Sequence, residues 1–379
     1  MRRDRILAAV WLLAVIVVSM QAAVHHTNNF ETFRTSWFNL IEGHDLYGPS
    51  ERHLDFFKYS PTFALLFAPF AVLPFWLGVL LWNALNAGAL YYAMGRILGR
   101  DEAFAARLLV LFDTIGAMQN VQSNALVAGM MIFACTDLDR RRELRGAAVI
   151  AIATAIKLFP IVAATYAIFR QHRLPRFTVY SIAAAMLLVA APVLVISRAE
   201  LTEQYISWGA IQRVDSLDRG YSVMQQLQLW LGLGWPNWPV QLLGIVVLLA
   251  PLARYALWGQ ARFRLLFLAS LLMFCVLFNH KSESPTFVVA LSGIAIWFAV
   301  MDRTAWTWTV LVVVVIGTVL SSSDAMPQPL QQGFFEPYRL KILPVVLVWV
   351  LTQVELWRVP QNATTRLPWH AGPPSATAT

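Results

Sequence analysis

Charged residues are scarce in this chain of 379 residues. Asp, Glu, Lys and Arg together make up 13% of it, whereas an ordinary soluble domain carries about 25%. This scarcity excludes an ordinary soluble globular protein. Hydrophobic residues make up 58% of the chain and lie in long blocks such as 6–24, and a helix needs about 20 apolar residues to cross a bilayer. The sequence therefore predicts an all-α integral membrane protein with several membrane-spanning helices.

Cysteine is almost absent as well. Cys135 and Cys275 both lie inside apolar blocks and form no CxxC motif, so neither a disulfide framework nor a thiolate metal site is indicated. The net charge is +8, but the basic residues occur in short clusters between apolar blocks, as in the cytoplasmic loops of membrane proteins. We therefore expect no nucleic acid partner, no metal and no cofactor.

The basic clusters orient the chain in the membrane. The first apolar stretch is long for a signal peptide and no clear cleavage site follows it, so a retained first helix is predicted. With the amino terminus inside, the clusters around Arg96, 140–145, 170–176 and Arg254 fall on the cytoplasmic side, as the positive-inside rule requires. This predicts a plasma (inner) membrane protein with both termini cytoplasmic. Its eight full crossings are predicted at residues 6–24, 75–95, 177–196, 239–257, 265–279, 285–301, 304–321 and 340–356.

One apolar stretch, 146–169, is predicted to form a re-entrant or half-length hairpin. The arginine clusters at 140–145 and 170–176 flank it, and both belong inside. A hairpin with Lys157 and Pro160 at its tip satisfies both clusters, because proline breaks the helical hydrogen-bond ladder. Irregular backbone at membrane depth is tolerated where protein or a wet cavity surrounds it.

The preceding pair of apolar segments, 103–118 and 124–137, has the same form, with an amide-rich tip at 119–124. Two adjacent hairpins would place these amides beside Lys157. A charge near the middle of the membrane is expensive and usually functional. A helix-end lysine whose amine reaches the interface is the alternative interpretation.

The first extracytoplasmic loop, 25–60, belongs to a single catalytic transmembrane domain predicted at 1–358. Phe30, Phe33 and Trp37 recur there at three- and four-residue spacing, which predicts an amphipathic helix along the membrane surface. The tail 359–379 is rich in Pro, Ala and Thr and is predicted to be disordered and cytoplasmic.

Five short motifs occur in a characteristic order after the amphipathic segment. They are EGHDLY at 42–47, YSPTF at 59–63, LWN at 81–83, QSN at 122–124 and IKLFP at 156–160. In this order and spacing the chain resembles glycosyltransferase family 87 over most of residues 28–290. The resemblance implies a helical bundle of the GT-C type. It also implies transfer of a hexose, mannose in the first instance, from a polyprenyl-phosphate donor to a lipid or glycan hydroxyl on the extracytoplasmic face, with inversion.

The resemblance also implies a loop carboxylate as general base and cationic partners for the leaving phosphate. Many family members carry an Asp where this chain has Asn29, ahead of a tyrosine where it has Phe33. Asn cannot act as a base, so Glu31 is the first candidate and Asp45 the second, with Arg34 beside Glu31 to keep it ionised. Lys58, Lys157, His280 and Lys281 are the candidates for the phosphate. The further substrate-binding candidates are Tyr59, Gln122, Asn124 and Glu283.

Two alternatives remain open at this point. A transporter or flippase of a lipid-linked intermediate would also need broken helices and a cation within the membrane, and a scaffold in envelope assembly would need neither. Carboxylates and histidines gather on one predicted face, as a one-sided reaction requires, whereas a transporter needs access from both. The polar turn 279–285 is either part of the site or only a tight turn.

Overall fold

The computed structural model describes residues 2–25, 27–49, 55–215, 217, 219–323 and 326–361. These residues form helices and turns without a β-strand, so the all-α fold is confirmed. In chain order the α-helices are α1 (Arg2–Val24), α2 (Asn28–Ile41), α3 (Pro61–Ala71), α4 (Phe75–Ile97), α5 (Arg100–Gln119), α6 (Asn124–Asp139), α7 (Glu143–Ile156), α8 (Leu174–Ala190), α9 (Arg198–Asp215), α10 (Val223–Leu231), α11 (Asn237–Leu249), α12 (Ala261–Leu277), α13 (Phe287–Val300), α14 (Ala305–Val314), α15 (Gln328–Leu330) and α16 (Leu343–Arg358). Between α7 and α8 runs the 3₁₀ helix Phe159–Arg173.

The chain divides into two compact units. Unit 1 comprises Met1–Ala93 and Leu111–Asp218, and unit 2 comprises Met94–Val110 and Arg219–Thr379. In unit 2, α12 and α13 pair along their lengths and α16 packs on both. Nearly every residue of α12 and all of α13 are buried, whatever their direction around the helix. This pair is therefore the core of unit 2.

The outer helices bury one stripe and expose apolar residues elsewhere. In α1, Trp11, Val15 and Val18 are buried at three- and four-residue spacing, while Leu13 and Met20 are 61% and 65% exposed. Contiguous exposed apolar surface of this kind faces lipid rather than water.

Within the described residues, three helical segments are long and apolar enough to cross a membrane. They are Arg2–Val24, Phe159–Leu194 and Leu340–Arg358. A fourth candidate is the pair α3 and α4, which is bent by 117°. The eight predicted crossings are helical over most of their lengths, but several of those helices are short, so the number of crossings stays a prediction.

The amphipathic helix predicted in the first loop is α2, and it packs on α3. Phe30 and Phe33 are almost completely buried, with the Phe30 ring against Phe67 and Phe75. Gly78 makes this packing possible, because a Cβ there would lie 2.6 Å from the Phe30 ring. The aromatic face of α2 is thus covered by protein, whereas the sequence alone suggested the membrane surface.

The predicted hairpin at 146–169 agrees with the ion pairs at its two ends. Arg173 Nη1 lies 3.0 Å from Glu143 Oε1, and Arg170 Nη2 lies 3.3 Å from Asp139 Oδ1. These contacts hold the end of α6 and the start of α7 beside the end of the 3₁₀ helix. The intervening chain must therefore reverse direction, as a hairpin requires.

Candidate active site

The turn between α5 and α6 has a strained backbone. Val121 has a φ of +49°, a conformation that β-branched residues rarely adopt. Two side chains from other elements hold the turn: Trp82 Nε1 donates to the Val121 carbonyl at 3.1 Å, and Asn29 Nδ2 donates to the Asn120 carbonyl at 2.7 Å. Such strain persists only where the surroundings fix it, and it clusters at functional sites.

The neighbouring asparagines of α4 support the same turn. Asn83 Nδ2 donates to the Met118 carbonyl at 3.2 Å, and Asn86 Oδ1 accepts from the backbone N–H of Leu126 at 3.0 Å. Both asparagines are almost completely buried. The polar residues of α4 therefore position the segment that contains the QSN motif.

Lys157 lies where helix α7 breaks. Its backbone is extended, with φ −141° and ψ 144°, and Pro160 lies in the first turn of the next helix. Lys157 Nζ donates to Asn124 Oδ1 at 2.6 Å, and Asn124 Nδ2 donates to Gln122 Oε1. Asn124 is fully buried and Gln122 nearly so. The structure thus brings three of the predicted residues into one group, which we call the amide–lysine cluster.

Tyr59 adds an aromatic ring to this cluster. Lys157 Nζ lies 6.0 Å from the centroid of the Tyr59 ring, which packs edge-on against Phe33. The Tyr47 hydroxyl donates to the Tyr59 carbonyl at 2.9 Å. Burial, with smaller effects from Tyr205 and Asp45, raises the pKa of Tyr47 far above its usual value. The phenol therefore stays protonated and keeps this hydrogen bond.

Lys58 is held by acidic residues. Its Nζ lies 3.2 Å from Asp55 Oδ1 and 3.5 Å from Asp215 Oδ1. Helix α9 also fixes the Lys58 backbone, since Trp208 and Gln212 donate to its carbonyl at 3.0 and 2.7 Å. Lys58 therefore anchors the segment before Tyr59, and its charge is balanced by carboxylates.

The two candidate bases differ in their surroundings. Glu31 lies in the first turn of α2, half-buried, two residues after Asn29, which is bonded to the strained turn. Asp45 lies in an exposed turn, where its Oδ1 accepts from the Tyr47 backbone N–H at 3.1 Å. Arg34 Nε, predicted to support Glu31, donates to the carbonyl of Ala71 at 3.0 Å.

Three candidates belong to unit 2 and form a tight turn there. The backbone N–H of Lys281 donates to Asn279 Oδ1 at 3.3 Å, immediately after His280. Glu283 caps the short helix that follows, through a reciprocal pair of hydrogen bonds with Thr286. Both interpretations of the 279–285 segment therefore remain open, because the turn is tight and also polar.

Lys341 in unit 2 is a buried cation that the sequence interpretation missed. It is only 4% exposed, and its Nζ donates to Ser284 Oγ at 2.9 Å and to Ser322 Oγ at 2.8 Å. Its place at the start of an apolar run was a usable signal, since a lysine within a predicted membrane span usually has a function. Lys341 ties the start of α16 to the polar turn.

An apolar cavity of about 670 Å³ lies in unit 1 along α4. Trp82, Leu85, Gly88 and Tyr92 line it from one face of α4. This face extends about 15 Å, at a rise of about 1.5 Å per residue. Ile156 also lines the cavity and directly precedes Lys157. An elongated apolar group in this cavity would therefore reach the neighbourhood of the amide–lysine cluster.

The family model of glycosyltransferase family 87 matches residues 56–278, more than half of the chain. The chain therefore belongs to glycosyltransferase family 87 and is a membrane glycosyltransferase. The match covers Tyr59, the QSN motif and Lys157, and it begins after the amphipathic helix. No curated protein matches the chain at the significance required. Among the described residues, no group of three His, Cys, Asp or Glu side chains is placed to hold a metal ion.

Proposed function

We propose that this membrane glycosyltransferase transfers a hexose, mannose in the first instance, from a polyprenyl-phosphate donor to a hydroxyl of a lipid or glycan acceptor. The reaction takes place on the extracytoplasmic face and inverts the anomeric carbon. The observation that carries the proposal is Lys157, whose amine is held at a helix break by the buried side chain of Asn124 next to a long apolar cavity.

The donor has two chemically different parts, and unit 1 has a matching environment for each. The polyprenyl chain is an extended hydrocarbon without hydrogen-bonding groups, which suits the apolar cavity along α4. The phosphate is an anion whose charge grows as the sugar leaves. A positioned cation in a water-poor site stabilises that charge, and Lys157 supplies it.

The transfer needs a base because a hydroxyl is a weak nucleophile until its proton is removed. The acceptor oxygen forms a bond to the anomeric carbon while the bond from that carbon to the phosphate oxygen breaks. The acceptor proton passes to the carboxylate, and the electron pair leaves on the polyprenyl phosphate. We assign the base to Glu31 because it is half-buried on a helix fixed to the strained turn, whereas Asp45 lies in an exposed turn.

The test is to incubate the purified protein in lipid nanodiscs with radiolabelled polyprenyl-phosphate mannose, glucose and arabinose, each separately. The proposal predicts release or transfer of label from the mannose donor above the other two. A membrane lipid extract is added as the source of acceptor. If the folded protein then uses none of the three donors, the proposal is contradicted.

A further inference from the structure

A second cavity of about 310 Å³ lies in unit 1, on another face of α7. Ile152 and Ile156 line the first cavity, whereas Ala151 and Thr154 line the second. Successive helical residues point about 100° apart, so these pairs face different sides of α7. Leu158 also lines the second cavity. Lys157 is therefore preceded in the chain by Ile156, which lines the first cavity, and followed by Leu158, which lines the second.

The second cavity contains two hydroxyls without partners. Thr154 Oγ1 and Ser181 Oγ are buried, and neither has a hydrogen-bond partner within the part of the chain that the structure describes. By contrast, Ser60 and Thr62 line the same cavity and donate to main-chain carbonyls. Because nearly all buried polar groups are hydrogen-bonded, two unpartnered hydroxyls in one cavity indicate an acceptor that a ligand supplies.

The first cavity differs in this respect. Among its described lining residues, none carries a buried polar side-chain atom without a partner, and the Trp82 indole N–H is bonded to the Val121 carbonyl. A pure hydrocarbon chain is compatible with the first cavity. The second cavity instead suits a chain that carries a hydrogen-bond acceptor.

We propose that the second cavity binds an ester-linked acyl chain of a lipid acceptor, which rests on the transferase function proposed above. The ester carbonyl accepts hydrogen bonds from Thr154 and Ser181. The hydrocarbon lies against the small and branched residues that line α7 and α8, such as Ala151 and Leu188. The acceptor head group then extends towards Lys157, opposite the donor. Bound bulk phospholipid is the competing source of the same ester chemistry.

Binding can be measured without catalysis. The probe is a fluorescently labelled dihexosyl diacylglycerol, compared with its dialkyl ether analogue, which lacks the carbonyls. The purified full-length protein in detergent is titrated with each. Two hydrogen bonds of ordinary strength predict that the ester binds about tenfold more tightly than the ether. Equal affinities would overturn the proposal.

Substitutions can test the contribution of the two hydroxyls and that of the cavity volume separately. Thr154→Val combined with Ser181→Ala keeps the shape and should abolish the preference for the ester. Thr165→Val is the control, because that hydroxyl is already bonded to the Val162 carbonyl. Ala185→Phe fills the cavity from α8 and should weaken both probes at least tenfold. Ala183, two residues earlier, does not line the cavity, so Ala183→Phe should leave binding unchanged; an equal effect of both variants would count against the site.

Two further measurements separate the possible failures. In the first, excess phosphatidylcholine and an unlabelled glycolipid compete separately with the glycolipid probe. If phosphatidylcholine displaces the probe as effectively as the glycolipid does, the cavity binds bulk lipid and the acceptor assignment is overturned. Use of polyprenyl-phosphate mannose, glucose and arabinose is measured on the same preparation. Turnover of donor without ester-selective binding refutes the cavity proposal alone, whereas ester-selective binding without use of any sugar donor supports the cavity and refutes the proposed function.

Discussion

Lys157 Nζ donates to Asn124 Oδ1 across a distance of 2.6 Å, although the two residues lie 33 positions apart in the chain. Asn124 is the first residue of α6, and Lys157 follows the last residue of α7. The contact fixes the amine in one direction before any substrate binds. A cation that is already positioned costs no reorganisation as negative charge develops, which is the condition for strong electrostatic catalysis.

Replacing Lys157 with Met should reduce turnover by at least about a hundredfold, because the cation that we propose for the leaving phosphate is lost. The protein should remain folded, since the Met side chain has a similar length and Asn124 can still bond to Gln122. The readout is the initial rate at saturating donor, together with the melting temperature. Near-normal turnover in the Met variant would show that Lys157 has no part in the transfer.

The general base can be identified by comparing Glu31→Gln with Asp45→Asn. Loss of a base costs about 10²–10⁴-fold in rate and leaves donor binding largely intact. We expect this loss for Glu31→Gln and a small effect for Asp45→Asn, measured as kcat and donor affinity in parallel. The reverse pattern would transfer the role to Asp45, and full activity of both variants would refute a carboxylate base in this loop.

The cavity that we propose for the donor can be blocked at Gly88. A Cβ at Gly88 would meet no atom within 4 Å, and the residue lines the apolar cavity. Gly88→Leu should therefore extend into the cavity and raise the donor KM at least tenfold.

The matched control for this prediction is Gly116→Leu. Gly116 also lies in a helix, and a Cβ there would likewise meet no atom within 4 Å, but it does not line the cavity. Both substitutions should raise helix stability by up to about 1 kcal/mol, because leucine is the better helix former. A similar KM for the two variants would indicate that the donor lies elsewhere.

The two ends of the 146–169 hairpin should face the cytoplasm. Cysteines introduced at Arg142 and Arg173, in a protein whose native cysteines are replaced by serine, should both resist a membrane-impermeant thiol reagent in whole cells. The ion pair between Arg173 and Glu143 places both positions at the same end of the hairpin. Ready labelling of either cysteine would require a different topology.

The same end of the hairpin should also make the stability of the protein depend on pH. Burial acts to raise the pKa of Glu143, but backbone hydrogen bonding and Arg173 outweigh it, so the pKa lies below its usual value. The ionised form is therefore favoured by folding, and its stabilisation is present above the unfolded pKa and is lost as the pH falls through the folded value. Glu143→Gln should have a smaller acid-induced loss of melting temperature than the native protein.

Much of the helical framework follows from local sequence. The apolar blocks predict the helices, Pro160 and the amide-rich tip predict the breaks, and the arginines around 146–169 predict that its ends meet. These features depend on hydropathy, backbone restriction and charge, which act over a few residues.

The partners within the site do not follow from local sequence. Lys58 pairs with Asp215, which lies 157 positions later in the chain, and the Phe30 and Phe33 face of α2 packs on α3 rather than on lipid. An apolar stripe has the same pattern whether protein or membrane covers it. Only the tertiary structure shows which side chains surround each cation, such as the carboxylates beside Lys58 and the Asn124 amide beside Lys157.

The most direct measurement is the stereochemistry and stoichiometry of the transfer. The purified protein is given polyprenyl-phosphate mannose and a glycolipid acceptor, and the products are followed by ¹H and ³¹P nuclear magnetic resonance. The account predicts a mannosylated acceptor with inverted anomeric configuration, formed together with an equal amount of free polyprenyl phosphate, and neither product from Lys157→Met at a comparable rate. Retention of configuration, or an intact donor in the presence of a folded enzyme and acceptor, would contradict it.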